Sequence, residues 1–335
     1  MKIAVYKDNL STGRGADRAV RNFAAGLAER GHSVVLFERA ELSARLAERW
    51  DVIVATGSNE IVDLDSAGYF KRPSRAKVVL QLHLAPCGFF KWRHPLRNYR
   101  IRKAFNMADA VQVLCSSYAA EFKRIAPHPP VAVIGNYTEM QGDAESVSAK
   151  ERQVRPPIIL YPAATINRVK NQRLLIEAFT LLASDFPEWK VRLLGKDTTP
   201  YAKMCRRLIS AKRLDGRIEV VGFTDSLKDE YANATFVAFP STLEGFPLAI
   251  LEAARFSLAT VAHSGLPGIG DIVTDGSGVV TAPNVAAYAA GLRSLMADDG
   301  RRRRLGDGAR VRCEDRYAKD QILDQWEILL GNVVK

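Results

Sequence analysis

Glu244 and Glu252 stand eight positions apart in the stretch Phe239-Pro-Ser-Thr-Leu-Glu-Gly-Phe-Pro-Leu-Ala-Ile-Leu-Glu-Ala-Ala-Arg255. The apolar run Thr235 to Phe239 reads as a strand that breaks at Pro240 and turns through Ser241, Thr242 and Gly245. A helix is expected to start near Pro247, because proline is tolerated in the first helical turn, where its missing N–H loses no partner. Glu244 then lies in the loop before that helix, and Glu252 about two turns into it. Strand, glycine turn and helix start together make an anion site: backbone N–H groups and the positive end of the helix dipole point the same way. Two carboxylates beside such a site suit a ligand carrying both phosphates and hydroxyls. The same spacing also suits a surface loop with ordinary helix-start acids.

Such a site needs a scaffold of alternating strands and helices, and the chain supplies one. Ile3 to Tyr6 reads as a first strand, and Ala19, Val20, Phe23, Ala24 and Leu27 mark a helix that ends at Gly31. Further strands are expected at 33–37, 51–55 and 77–82. A second series begins at Ile158 and includes an amphipathic helix from Asn171 to Ser184 and strands at 191–194, 218–221 and 260–262. This alternation implies parallel sheets covered on both faces. The polar stretch Met140 to Pro157 reads as a linker between two domains, which suits a chain of 335 residues. The tail from Asp315 to Val334 reads as a helix with a stripe of Ile322, Leu323, Trp326, Leu329 and Leu330.

The composition, 47% hydrophobic and 25% charged, is that of a soluble globular protein. The first residues run straight into a strand, too briefly for a signal-peptide core, and no apolar run is long enough to span a bilayer. Cys87, Cys115, Cys205 and Cys313 are scattered and read as reduced cytosolic thiols. The net charge is +11, of which residues 1–150 carry +7, so the first part favours an anionic partner. A glycine loop, Thr12-Gly-Arg-Gly-Ala-Asp17, follows the first strand where an open α/β sheet binds phosphates. It offers only two of the three glycines of a dinucleotide fingerprint, which argues against a nicotinamide site. Asp63-Leu-Asp65 has the form of a metal pair but reads as a solvated loop, and no required metal is expected.

The stretch Gly88-Phe-Phe-Lys-Trp-Arg-His-Pro-Leu-Arg-Asn-Tyr-Arg-Ile-Arg-Lys-Ala-Phe105 combines Phe89, Phe90 and Trp92 with Lys91, Arg93, Arg97, Arg100, Arg102 and Lys103. Aromatics within a dense basic run suit the interface of an anionic bilayer. An amphipathic helix with a solvated basic side is the alternative. Nothing else in the chain suggests a nucleic-acid module. A protein lying peripherally on the inner face of the cytoplasmic membrane is therefore expected.

The stretch around Glu244 and Glu252 resembles the Glu-x7-Glu signature of family-4 glycosyltransferases, which are retaining enzymes of the GT-B fold. Gly222 to Ala234, Ser264 to Gly278, Gly13 to Val20 and Arg30-Gly-His32 are similar to the flanking segments of that family, in the same order. The resemblance implies two Rossmann-like, doubly wound α/β domains facing a central cleft. The acceptor-side domain would cover residues 1–150, the nucleotide-sugar domain 151–314, and a helix at 315–335 would cross back to the first domain. It implies that Glu252 takes the ribose hydroxyls, Glu244 the sugar hydroxyls, and Gly245, Phe246, Pro247 and Leu248 line the pyrophosphate and sugar. Gly222 and Phe223 would lie near the base, and Gly13 and Gly15 over the donor. Lys170 matches the family's phosphate-binding lysine. The family's arginine about six residues earlier is replaced by Ala163-Ala-Thr165, so Arg168 is a shifted substitute. His83 resembles a histidine that some members point at the sugar, where it could bind substrate or assist proton transfer; a packed structural role is the alternative. Asn136 resembles the asparagine that ends the first domain. The implied activity is transfer of a hexose-like sugar from a nucleoside diphosphate, UDP, to a lipid-linked or polysaccharide acceptor of a cell-surface glycan. The alternatives are an epimerase on the same fold and a non-catalytic protein that binds membranes or polyanions.

Overall fold

A computed structural model describes residues 1–10, 15–90, 94–142 and 155–335. The chain forms two compact units, Met1–Glu139 with Tyr317–Lys335, and Met140–Arg316. Residues 143–154 of the expected linker lie outside the described residues, but Met140 and Gly142 belong to the second unit.

The first unit holds six parallel strands: β1 (Lys2–Tyr6), β2 (Ser33–Phe37), β3 (Val52–Ala55), β4 (Lys77–Gln81), β5 (Ala110–Val113) and β6 (Val131–Val133). Their spatial order is β2-β1-β3-β4-β5-β6. Ile3 of β1 aligns with Val34 and Val52 on either side. These runs are rich in β-branched and apolar residues, as strands covered by helices on both faces require, and β3 and β5 are buried along their whole length. The helix Gly15–Glu29 buries Ala19, Val20, Phe23, Ala24 and Leu27 on one stripe, and Gly31 follows in the left-handed region at φ 86°. Against that stripe the C-terminal helix Lys319–Val334 packs Ile322, Leu323, Trp326 and Leu330. The rings of Phe23 and Trp326 lie 4.4 Å apart. Gly26 permits this approach, since a Cβ there would come within 2.8 Å of Leu323 and of the Tyr137 hydroxyl. Arg30 adds ion pairs to Asp320, Asp324 and Glu327 of the same helix. The expected continuous tail helix is in fact two. A helix from Asp299 ends at Tyr317, and Ala318, extended at ψ 145°, starts the next.

The second unit also holds six parallel strands: β7 (Ile158–Tyr161), β8 (Lys190–Leu194), β9 (Ile218–Gly222), β10 (Phe236–Phe239), β11 (Thr260–His263) and β12 (Gly278–Thr281). Their order is β12-β11-β10-β7-β8-β9. The chain winds outward from β7 to β9, then returns to build β10 to β12 on the other side. In the first unit the reversal falls between β1 and β3. At such a reversal the loops leaving the carboxyl ends of two neighbouring strands part in opposite directions, and the crevice between them is where open α/β sheets bind ligands. The second unit therefore presents the loops after Tyr161 and Phe239, and the first unit those after Tyr6 and Ala55.

Candidate functional site

The loop after β7 carries Lys170. Its conformation is set locally: the Asn167 side chain accepts the Lys170 N–H at 3.0 Å, and Asn171 takes the left-handed conformation at φ 52° before the helix Gln172–Thr180. Asparagine does both readily because its short polar side chain can stand in for a backbone acceptor and it tolerates positive φ. The loop after β10 carries Glu244. Ser241 is fully buried there, and the Thr242 N–H and hydroxyl both donate to the Val169 carbonyl, at 2.9 and 3.1 Å.

These anchors bring the two loops together, and the Lys170 ammonium donates to the Glu244 carboxylate at 2.6 Å. Tyr161, at the end of β7, braces the junction from below. Its buried hydroxyl donates to the Lys170 carbonyl at 2.7 Å and meets the Ser241 hydroxyl at 2.8 Å. Burial, reinforced by the charge of Glu244, raises the Tyr161 phenol well above its ordinary range, so it stays a donor. His263, buried at the end of β11, holds the same loop from the other side. Its Nδ1 accepts the Gly265 N–H at 3.1 Å, which leaves Nε2 as the protonated nitrogen that donates to the Pro240 carbonyl at 3.0 Å.

Beyond Glu244 the helix begins at Leu248, one residue later than expected. Pro247 is its N-cap, and the proline side chain offers no cap hydrogen bond. The Leu248 N–H turns back to the Phe246 carbonyl and the Ile250 N–H to the Pro247 carbonyl, each at 2.9 Å. Glu252 lies four residues into this helix, about 6 Å along its axis, and helical side chains lean toward the N-terminus. Its carboxylate is 2% exposed and accepts the Tyr231 hydroxyl at 3.0 Å. Arg168 is exposed in the Lys170 loop. Gly222 ends β9 in the left-handed region at φ 89°, and the Phe223 ring that follows is 64% exposed, with the Lys196 ammonium 5.9 Å from its centre. The second unit thus joins Lys170 directly to Glu244 and starts the helix of Glu252 at the end of the same loop.

Four other expectations lie in the first unit. His83 follows β4, and neither ring nitrogen has a hydrogen-bond partner among the described residues or reaches solvent. Burial, aided by the charge of Lys7 and opposed by Asp17, lowers its pKa to about 4, so the imidazole is neutral. Gly13 lies outside the described residues; Gly15 opens the first helix, where a Cβ would meet nothing within 4 Å, so close packing does not require glycine there. Asn136 lines a small cavity beside Gln81, Tyr137 and Trp326.

Asp63 and Asp65 are not in a loop but on the helix Ser58–Ser66. Asp63 accepts the Tyr6 hydroxyl at 2.7 Å and pairs with Arg39, and Asp65 pairs with Lys103 at 3.0 Å. Among the described residues no group of three or more potential ligands could hold a metal.

The basic stretch is divided by its fold. Lys91, Trp92 and Arg93 lie outside the described residues. Phe89 and Phe90 do not face outward as expected, but pack edge-on against the buried Phe105. The apolar side chains left exposed are Leu96 (80%) and Tyr99 (67%), on the helix Pro95–Phe105 that also carries Arg97, Arg100, Arg102 and Lys103. Arg97 donates to the Phe89 carbonyl at 2.7 Å, Arg100 to the Ser66 hydroxyl at 2.8 Å, and Arg102 stacks over Phe90. Among the described residues no helix is long and apolar enough to cross a membrane.

Nothing local in the sequence marks Tyr161, Tyr231 and His263 as part of this site. Each ends an apolar strand or sits on a buried helical stripe, where a polar tip is hidden in a hydrophobic pattern.

Comparison with known proteins gives this geometry a context. The family described as glycosyl transferases group 1 matches residues 143–312. The chain is similar to an exopolysaccharide phosphotransferase of Streptomyces coelicolor, 32% identical over 48% of this chain and 17% of that protein. It is also similar to the poly(glycerol-phosphate) alpha-glucosyltransferase of Bacillus subtilis, 24% identical over 52% of this chain and 26% of that one. The chain spans less than half the length of these curated relatives. Among solved structures, Anabaena HepE in complex with UDP superposes with a TM-score of 0.82 at 18% identity, covering 99% of this chain and all of the other. The α/β architecture of two six-stranded parallel sheets is thus the GT-B one.

Proposed function

The chain belongs to the group 1 glycosyl transferases, and from that premise we propose that it is a retaining hexosyltransferase. It takes its sugar from a nucleoside diphosphate, UDP, and passes it to a growing polysaccharide or a lipid-linked glycan. The observation that carries this reading is the Lys170–Glu244 contact at the β7/β10 reversal, beside the start of the helix Leu248–Arg255. Breaking the bond between sugar and diphosphate builds negative charge on the leaving phosphate and positive charge on the anomeric carbon. Lys170, Arg168 and the helix N-terminus supply fixed positive charge for the former, and fixed charge stabilises without reorganising solvent. When the diphosphate takes Lys170, Glu244 is released to accept hydrogen bonds from the sugar hydroxyls. Glu252 takes the ribose diol, and the exposed Phe223 ring offers a face to the base. With positive charge from these side chains, the reaction is proposed to need no metal. Neutral His83 is read as a hydroxyl-binding side chain of the first unit.

Resemblance to a UDP-bound structure and to relatives named for polymer synthesis supports this reading. Calorimetry with UDP tests it. Binding that is lost in Lys170→Ala is expected; no binding to the intact chain would refute it. Transfer should depend on an added acceptor, and release of free sugar without one would favour an epimerase.

The same proposal puts the protein on the inner face of an anionic membrane through the helix Pro95–Phe105. Leu96, Tyr99, Arg100 and Lys103 share one helical face by their spacing. Two exposed apolar side chains among basic ones match the interface of such a bilayer.

A further inference from the structure

A buried carboxylate that must meet a sugar diol needs its plane fixed, and the second unit contains a device for that. The geometry points to Tyr231 as the positioning residue for Glu252; this rests on the reading that Glu252 takes the donor's ribose. Tyr231 sits on the helix Leu227–Asn233 with no exposed surface, and its ring stacks on Phe256 at 5.6 Å and 21°. It belongs to a core cluster with Leu160, Leu194, Val237 and Ala253. The phenol is therefore placed by the core, not by the ligand. Its hydroxyl reaches two acceptors, the Glu252 carboxylate at 3.0 Å and the Ala249 carbonyl at 3.1 Å. It has one proton to give. At nearly equal distances the ionised acceptor holds it, because charge-assisted hydrogen bonds are about twice as strong as neutral ones. The Ala249 carbonyl, inside a helix, can accept the backbone N–H of Ala253 four residues on. The hydroxyl thus pins one carboxylate oxygen and sets the orientation in which the group is presented. Without it, that oxygen loses a donor fixed by the core, and two hydroxyls at once would be met in fewer of the carboxylate's orientations.

The test separates this from a merely structural role by removing the diol instead of the protein group. Calorimetry on the full chain compares UDP with the diphosphate of 2′,3′-dideoxyuridine, for the intact chain, Tyr231→Phe, Glu252→Gln and the double variant. Tyr231→Phe is expected to weaken UDP about tenfold and to leave the dideoxy nucleotide bound as by the intact chain. In the Glu252→Gln background, the tyrosine change is expected to add nothing. Equal losses for both nucleotides would make Tyr231 a prop for the helix, and loss for neither would remove any role; both results overturn the inference. An intact chain that binds the two nucleotides equally would instead overturn the ribose assignment of Glu252 itself, and the inference with it. An intact chain that binds no UDP would overturn the proposed function and everything built on it.

Discussion

Both sheets reverse their strand order once, and each reversal holds a lysine paired with a glutamate, yet the two pairs are built differently. In the first unit Lys7 reaches Glu60 at 2.8 Å, and Glu60 is 2% exposed. Glu60 also accepts the Asp8 N–H at 3.1 Å, Lys7 also pairs with Asp8, and Asn59 donates to Asp8 at 3.0 Å. Burial raises the Glu60 pKa against the pull of Lys7. Burial would raise Asp8 too, but hydrogen bonds from Asn59 and Lys7 outweigh it and hold that carboxyl down to about 2. Each of these charged groups has a hydrogen-bond partner within the protein. In the second unit the pair joins the tips of two loops, with side chains 22% and 14% exposed, beside the start of the helix Leu248–Arg255. The same topological position carries a lysine and two carboxylates in one unit and the proposed donor site in the other. A charged pair at a reversal is therefore not by itself a ligand site; the first pair is tied further to Asp8 and Asn59, whereas the second joins two loop tips.

If this contrast is right, the two lysines fail in different measurements. Lys170→Ala should cost about 10²–10³ in turnover, the scale of losing one preorganised donor to developing charge, with little change in thermal stability. A matching fall in melting temperature would erase the difference between the units. Lys7→Met should do the reverse, leaving Glu60 buried without its cation at a cost of about 3 kcal/mol in stability, read by denaturant unfolding.

Neutral His83 gives a pH test of the first unit. It binds a proton at about 4 in the folded chain, against an ordinary value of 6.5. Between these values the unfolded chain holds more protons, so stability should fall as pH drops from 6.5 to 4 and this contribution should level off below. The loss is up to about 3 kcal/mol, and His83→Gln should flatten the melting-temperature profile over that window.

Smaller effects follow at the surface. Replacing Arg97 and Arg100 by glutamate and Leu96 by aspartate should release the protein from anionic vesicles in co-sedimentation, each removed basic charge being worth about 1 kcal/mol. Unchanged binding would remove the membrane proposal and leave catalysis untouched. The smallest effect expected is none: turnover in EDTA should equal turnover without it, and a loss restored by a divalent cation would show that Lys170 and its helix end do not suffice.

Much of this was legible in the chain. Continuous β-branched runs such as Val52–Ala55 specify buried parallel strands, and the stripe from Ala19 to Leu27 with Gly31 after it specifies a helix and its end. Glu244 was legible as a loop acid because Gly245 and Pro247 mark the boundary it precedes, whereas Lys170 stood out only through the family resemblance. Tyr231, Tyr161 and His263 were not, because a buried aromatic reads as core until its polar tip is seen to have a partner. Asp63 and Asp65 looked like a loop pair because their partners, Tyr6, Arg39 and Lys103, are distant in sequence. Phe89 and Phe90 looked like surface anchors because nothing local says that Phe105 will claim them.

The sequence by itself determined which segments become strands and helices and which loops can carry charge, since hydrophobic period, turn chemistry and capping act over a few residues. Only the tertiary structure decided which strands become neighbours, and with that where each sheet reverses. That choice depends on pairing between distant segments, and it sets Lys170 against Glu244 and Tyr231 beneath Glu252.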